Sequence, residues 1–490
     1  MGEQDQQDQQ DPGTVREVDV VVVGAGPTGE NVAGQTAAGG LSTVVVEAEL
    51  VGGECSYWAC MPSKTLLRPG SALRAAQRVP GVGTGDLDPS VVLTSRDEIV
   101  SGWDDASQLE WLDSAGIGLV RGRGRLTGER EVTVTAGDGT TQVLRARHAV
   151  AVCTGSAAAV PDIPGLRDSR PWTSREATGA QQVPPRLVVV GGGVVACEMA
   201  TAWSDLGSQV TVLARSELLS RSEDFAGRLV REALTERGVD VRTGVSATEV
   251  RRTGAGVVVQ VSDGGTVEAD EVLVAAGRRP RTDDLGLAVV GLTDGDWLDT
   301  DDTLRVLRDG EPVEWLYAAG DLNHRALLTH QGKYQARAAG DVIVARATGA
   351  VVDDGPWGAH AATADHSAVP QVVFTDPEVA SVGLTTAAAR EAGVEVRVVD
   401  QDLASVAGTA VHAQGYTGQA RLLVDPARQV VVGATFVGQD VAELLQSATI
   451  AVVGEVPISR LWHAVPAYPT ISEIWLRLLE GLGRDTALTR

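Results

Sequence analysis

Cys55 and Cys60 stand five residues apart in the segment Gly52-Gly53-Glu54-Cys55-Ser56-Tyr57-Trp58-Ala59-Cys60-Met61-Pro62-Ser63-Lys64. Two thiols at that spacing, at the expected start of a helix, can carry redox chemistry. The N–H groups of a helix N-terminus lack intrahelical partners and carry a partial positive charge, which favours thiolate over thiol. A pair one helical turn and a fraction apart can close into a strained, reducible disulfide. The plain alternative is a structural disulfide or two buried thiols. With four cysteines in 490 residues, the chain does not read as a disulfide-stapled scaffold. Cys153 and Cys197 lie in apolar runs and read as core thiols. Lys64 follows the second cysteine closely, and the only other lysine is Lys333. In a chain that otherwise uses arginine, a compact ammonium of tunable proton affinity beside two cysteines is chemically distinct.

The elements around the cysteines point to nucleotides. Val18–Val23 reads as an apolar strand, followed by Gly24-Ala25-Gly26-Pro27-Thr28-Gly29, a small-residue helix and the strand Val44-Val45-Val46-Glu47. This is a G-x-G-x-x-G turn between strand and helix with an acid about 20 residues on. Glycines allow the tight turn and let a pyrophosphate approach the helix N-terminus, and Glu47 can accept hydrogen bonds from a ribose. A second unit begins at Leu187–Val190 with Gly191-Gly192-Gly193-Val194-Val195-Ala196. Its next strand, Gln209–Leu213, ends in Ala214-Arg215 with Arg221 beyond, and carries no acid. Arginines there match a ribose 2′-phosphate, so NADPH is expected over NADH. The alternative is that Arg215 and Arg221 only face solvent. Two dinucleotide sites beside a cysteine pair imply an electron relay from nicotinamide through a flavin to sulfur. Ala151-Val152-Cys153-Thr154-Gly155-Ser156 reads as a strand end and turn. Trp315–Asp321 reads as a strand ending in an acid that could hold a ribityl hydroxyl or simply cap a helix.

Composition narrows the rest. A formal net charge of −24 disfavours nucleic acid or an anionic membrane as partner. The apolar runs are strand-length, short of the ~20 residues of a membrane span. Met1–Gly13 is polar, without a signal-peptide pattern, and reads as a disordered tail. The cytoplasm is the expected compartment and a small molecule the expected substrate.

These motifs resemble the FAD-dependent pyridine nucleotide–disulfide oxidoreductases, such as dihydrolipoamide dehydrogenase, glutathione reductase and mercuric reductase. The likeness runs from about Val18 to Leu479. It rests on both glycine loops, the C-x4-C-x-P-S-K segment, the Thr154-Gly155-Ser156 turn, Ala275-Ala276-Gly277-Arg278, Ala318-Ala319-Gly320-Asp321, and Val372–Glu378 opening the last domain. It implies an α/β fold with two Rossmann-like domains, for FAD and NAD(P)H, and an α+β C-terminal dimerisation domain. The expected layout is a tail over 1–17, an FAD domain over 18–164 and 292–359, an NADPH domain over 165–291 and an interface domain over 366–490. The resemblance also implies roles. Cys60 would lie next to the flavin and Cys55 would meet the substrate. Lys64 would pair with Glu198 beside flavin N5. The enzyme would be a homodimer whose C-terminal residues complete the partner's active site.

Two departures stand out. The family usually ends in His-Pro-Thr-x-Ser-Glu, and this chain has Tyr468-Pro469-Thr470-Ile471-Ser472-Glu473. Glu473 keeps the acid, but a tyrosine, ordinarily near 10, is a poor base at neutral pH. His463, five residues upstream, reads as a surface or hinge residue. Mercuric reductases share a tyrosine near this point but add a C-terminal cysteine pair, which Gly481–Arg490 lacks. Tyr57 and Trp58 also replace smaller residues between the cysteines, where they either shape a substrate entrance or pack. Three readings follow: an NADPH-dependent disulfide reductase, a reductase of a quinone, metal ion or small electrophile, or the dihydrolipoamide dehydrogenase component of a 2-oxo acid complex.

Overall fold

The computed structural model describes residues 15–483. Most of the expected tail therefore lies outside the described residues. Val15–Glu17, assigned to that tail by sequence, instead open the first strand, where Val15 pairs with Val143 and Glu17 with Arg145.

The chain divides into two compact units. One holds the described residues up to Tyr57, then Trp103–Ala157 and Arg279–Asp365; the other holds Trp58–Gly102, Ala158–Arg278 and the chain from His366.

The first unit is built on an eight-stranded sheet. Its main path runs Arg305–Arg308, Glu311–Ala318, Thr141–Val152, Val15–Val23, Thr43–Glu47, Gly118–Arg121, with the antiparallel pair Arg123–Gly128 and Glu131–Thr135 attached to Thr141–Val152. The four central strand pairings are parallel. A parallel sheet is covered on both faces, so its strands read as continuous apolar runs. Val21 and Val23 join one core with Val44, Val46 and Leu316, while Val20 and Val22 join the opposite core with Val45, Val32 and Ala336. The period-two alternation of a strand distributes the run between the two layers. The helices Pro27–Ala38 and Thr329–Thr348 belong to the second of these layers.

The second unit has three sheets. Asp240–Thr243, Gln209–Ala214, Arg186–Val190 and Glu271–Val274 form a parallel four-stranded sheet. Ala247–Thr253, Gly256–Val261 and Thr266–Ala269 form an antiparallel sheet beside it in sequence. The third is antiparallel and five-stranded, in the order Pro370–Val373, Glu378–Gly383, Val430–Gly438, Gln419–Asp425, Arg397–Asp402. The helix Val194–Asp205 is buried continuously from Ala196 to Trp203. The fold is thus α/β, with two nucleotide-binding-type parallel sheets and a C-terminal antiparallel domain.

Residues 58–102 belong with the second unit because the helix Cys60–Gln77 packs its apolar face there: Leu66 and Leu67 share a core with Met199, Trp203 and Val373. Gly70 permits the contact, since a Cβ at that position would meet the Asp205 carboxylate at 2.0 Å. The chain passes between the units after Ala157 and after Arg278.

Candidate functional site

The first glycine loop is shaped by close approaches. Gly24 has φ +98°, and a Cβ there would meet the Cys153 carbonyl oxygen at 2.5 Å. A Cβ on Gly29 would fall 1.8 Å from the Gly24 carbonyl oxygen. Gly26 differs, with only Gly53 Cα at 3.9 Å, so its face is open. It precedes the helix Pro27–Ala38 with extended geometry and no side-chain cap. The first N–H groups of that helix therefore remain available to an anion. Glu47 Oε2 accepts the Ala25 N–H at 2.7 Å and Oε1 that of Glu49 at 2.8 Å, tying the acid to the loop.

The second loop repeats the pattern. Gly191 has φ +140°, and a Cβ there would meet the Ala275 carbonyl oxygen at 2.2 Å, whereas nothing lies within 4 Å of a Cβ on Gly193. Gly193 precedes the helix Val194–Asp205, again without a side-chain cap. Leu219 N–H donates to the Gly192 carbonyl at 2.8 Å, which holds the loop carrying Arg215 and Arg221 against the glycine turn. Both arginines are exposed and make no ion pair among the described residues. The acid between them, Glu217, is engaged by Arg231 and Thr243. Gly277 has φ +125° and is exposed.

The cysteine segment is not one continuous helix start. Cys55 lies in the short helix Gly53–Tyr57, and Cys60 is the first residue of the helix Cys60–Gln77. Ala59 breaks the path between them, with φ −131° and ψ −95°. The division of the chain falls between Tyr57 and Trp58. Cys55 and Cys60 are partly exposed, and Cys153 and Cys197 are buried. Burial pushes each of the latter thiols up to about 12, Glu198 adding to the rise at Cys197. They remain inert core groups, as expected.

Within the first unit Cys55 is placed by its neighbours. Gly52 N–H donates to the Ala25 carbonyl at 2.8 Å, docking the turn on the glycine loop. Glu54 accepts from Arg281 at 2.6 Å, while Arg281 N–H bonds the Gly155 carbonyl and its carbonyl accepts from Thr154 Oγ1 at 2.8 Å. Arg281 thus joins the Thr154-Gly155 turn to the start of the cysteine segment. Asp321 accepts from Ser156 and opens a 3-10 turn. Gln335 holds that turn through Gly320 N–H at 2.7 Å and Asn323 Nδ2 at 2.8 Å. Tyr57 is buried, its hydroxyl on the Asp104 carbonyl and Gln108. It is a packing residue.

Within the second unit Lys64 Nζ lies 2.7 Å from Glu198 Oε2. The other carboxylate oxygen accepts the Phe374 N–H at 3.0 Å. Trp58 carries the Arg175 guanidinium 4.0 Å from its ring centroid, and its carbonyl accepts from Thr178. Glu473 is buried and accepts from the Gly408 and Thr470 N–H groups. Tyr468 is 77% exposed, and no hydrogen bond joins it to Glu473. His463 is also exposed.

The pyridine nucleotide-disulphide oxidoreductase family matches residues 18–349, and its dimerisation domain matches 369–478. The chain belongs to this family. The oxidoreductase is 33% identical to a dihydrolipoyl dehydrogenase of Haloferax volcanii over 94% of this chain and 95% of that one. It is 30% identical to a mercuric reductase of Staphylococcus aureus, covering 93% of this chain and 80% of the relative. LpdA of Mycobacterium tuberculosis superposes with a TM-score of 0.79 at 27% identity, over 95% of this chain and all of that one. The fold is shared at a TM-score of 0.79 with RclA of Escherichia coli, a flavoprotein disulfide reductase 22% identical to it, over 94% of this chain and 99% of that one. The oxidoreductase is therefore an FAD-dependent, pyridine nucleotide-using enzyme. Two uncapped helix N-termini behind open glycines, with Glu47 beside the first, fit such cofactors. No helix among the described residues is long and apolar enough to cross a membrane.

Proposed function

We propose that this oxidoreductase takes electrons from NADPH and delivers them, through FAD and the Cys55–Cys60 couple, to a disulfide-type acceptor. It would act as a cytoplasmic homodimer on a small molecule. The observation that carries the reading is the Lys64–Glu198 pair, four residues along the helix that Cys60 begins. Bound FAD would supply the hydride acceptor that links a two-electron nicotinamide to sulfur. Gly26 and Glu47 would hold its pyrophosphate and ribose, Asp321 its ribityl chain, and Lys64 would set a fixed positive charge beside its ring. Gly191, Gly193 and Gly277 would serve the nicotinamide nucleotide. Arg215 and Arg221 support NADPH, since they are exposed, unpaired in charge and held beside the glycine turn.

The sulfur chemistry balances as two exchanges. The Cys55 thiolate attacks one sulfur of the acceptor disulfide, forming a mixed disulfide and expelling a thiolate. The Cys60 thiolate then attacks Cys55 sulfur, expels the second thiolate and restores the Cys55–Cys60 bond. Two protons from solvent complete the two product thiols. In a homodimer, Tyr468 and Glu473 would reach the partner's site and line the acceptor pocket.

A second reading is favoured by Glu473. Its carboxylate is committed to two backbone N–H groups and does not polarise Tyr468. An acceptor that needs no acid–base help, such as a quinone or a metal ion, suits that arrangement.

Anaerobic titration of the FAD-loaded enzyme with NADPH separates the two. Uptake of four electrons per subunit, with long-wavelength absorbance from a thiolate beside flavin, supports the disulfide relay. Bleaching complete at two electrons without that absorbance refutes it and leaves the quinone or metal reading.

A further inference from the structure

Lys64 has a long, flexible stem, and one carboxylate contact leaves its ammonium free to swing. A second contact is present: the Phe374 ring lies 4.9 Å from Lys64 Nζ, centroid to nitrogen. That distance is within the range at which a ring face attracts a cation. Phe374 also donates its backbone N–H to Glu198 Oε1, while Glu198 Oε2 takes the lysine. One residue therefore touches both members of the pair, the acid through the main chain and the base through the side chain. Glu198 is 3% exposed, whereas the Lys64 side chain is 37% exposed and Phe374 36%, so the acid is the buried anchor and the ring meets the ammonium at the accessible edge of the pair.

The main chain just after Phe374 is tied down by its neighbours. Thr375 Oγ1 donates to the Pro377 carbonyl at 2.7 Å. Asp376 accepts from Arg74 Nε at 2.6 Å and from Arg78 at 3.0 and 3.1 Å. Arg74 lies on the helix that bears Lys64, and Arg78 is its C-terminal cap residue. Residues 374–376 thus grip one helix near both ends. They belong to the segment matched by the dimerisation domain.

We propose that Phe374 is a positioning residue of the dimerisation domain that fixes the Lys64 ammonium, its N–H anchoring Glu198 and its ring face covering the cation. The inference rests on the proposed place of Lys64 beside FAD. A positive charge held near the flavin favours the reduced, anionic form, so loosening it lowers the flavin midpoint potential. The test compares midpoint potentials of the FAD-loaded enzyme for wild type, Lys64→Met, Phe374→Leu and Phe374→Tyr. Lys64→Met should lower the midpoint. Phe374→Leu keeps an apolar side chain but removes the ring face, and should lower it in the same direction. The expected change is at least tenfold in the reduced-to-oxidised ratio, ~30 mV for a two-electron couple. Phe374→Tyr, which keeps the face, should return to the wild-type value. If Lys64→Met shifts the potential while Phe374→Leu leaves it unchanged, the inference fails and the reading of Lys64 stands. If Lys64→Met changes nothing, both fail. Should Phe374→Leu not load FAD, Phe374→Met provides the same comparison.

Discussion

Glu30 follows the third glycine of the first loop and is half-buried. Burial pushes its carboxyl up to about 7, with the Lys333 ammonium opposing the rise and Glu47 adding to it. The sign is set by the raised value. The folded state binds the proton more tightly than the unfolded chain, so this contribution is full below the ordinary value near 4.5 and is lost as pH rises through about 7. Glu30→Gln should therefore be more stable than wild type at pH 8, by ~1–3 kcal/mol after allowance for residual solvent, and equal to it near pH 4.5. Thermal melts of both proteins across that range measure the difference, and parallel curves would refute it. The arginines near the second loop support a sharper kinetic expectation. A charge-assisted bond to phosphate is worth ~1.5–3 kcal/mol, so Arg215→Ala with Arg221→Ala should raise the KM for NADPH at least ~10-fold while leaving that for NADH within ~3-fold. Equal effects on both nucleotides would remove the NADPH assignment. Tyr468→His tests the acceptor: with a disulfide substrate, restoring a base near neutral pKa should raise kcat by ~10², whereas quinone or metal reduction should not respond.

At the scale of elements, local sterics were legible and long-range partners were not. The glycine loops could be read because Gly24, Gly29 and Gly191 answer to a neighbour a few residues away or to an adjacent strand end, while Gly26 and Gly193 leave the helix starts open. Gly29→Ala places a methyl 1.8 Å from a carbonyl of the same turn, so that variant should purify without FAD, which absorbance at flavin wavelengths would show. The break at Ala59 gave no signal, since neither glycine nor proline marks it. Arg281, Gln335 and Phe374 were likewise silent. Arg281 meets Glu54 from 227 positions away, and Phe374 meets Glu198 from 176. Periodicity also could not assign the helix Cys60–Gln77 to its unit, because Leu66 and Leu67 look like any apolar helix face. Its far end is tied by Asp376. Burial alone would push that carboxyl up, but hydrogen bonds from Arg78 and the charges of Arg237 and Arg74 hold it below the usual carboxylate value. Asp376→Asn leaves the largely buried Arg237 without its carboxylate and removes one partner from Arg74 and Arg78, and should cost ~3–5 kcal/mol in denaturant unfolding. A loss under ~1 kcal/mol would mean solvent already serves the arginines.

For the whole molecule, the C-terminal domain leaves apolar side chains uncovered within one chain: Val411, Ile450 and Val465 are well exposed, Val465 at 84%. In the homodimer proposed above they would be surface for a second copy. Ile450→Asp should leave the fold of each chain intact, because the side chain is exposed there, and convert the enzyme to monomers in sedimentation velocity. Loss of acceptor turnover with retained NADPH-to-FAD reduction would accompany it if Tyr468 acts in the partner's site. The scarcity of lysine has a practical consequence. Apart from an amino terminus, the chain offers two primary amines, Lys64 and Lys333. Acylating reagents, amine-coupled surfaces and crosslinkers that decorate ordinary proteins at many harmless places would here be directed to the Lys64–Glu198 pair and to the helix beside Glu30. Immobilisation and labelling of this molecule should go through carboxylates, which are abundant, while mass-spectrometric amine footprinting becomes a two-lysine gauge in which Lys333 is the internal reference for how tightly Lys64 is held.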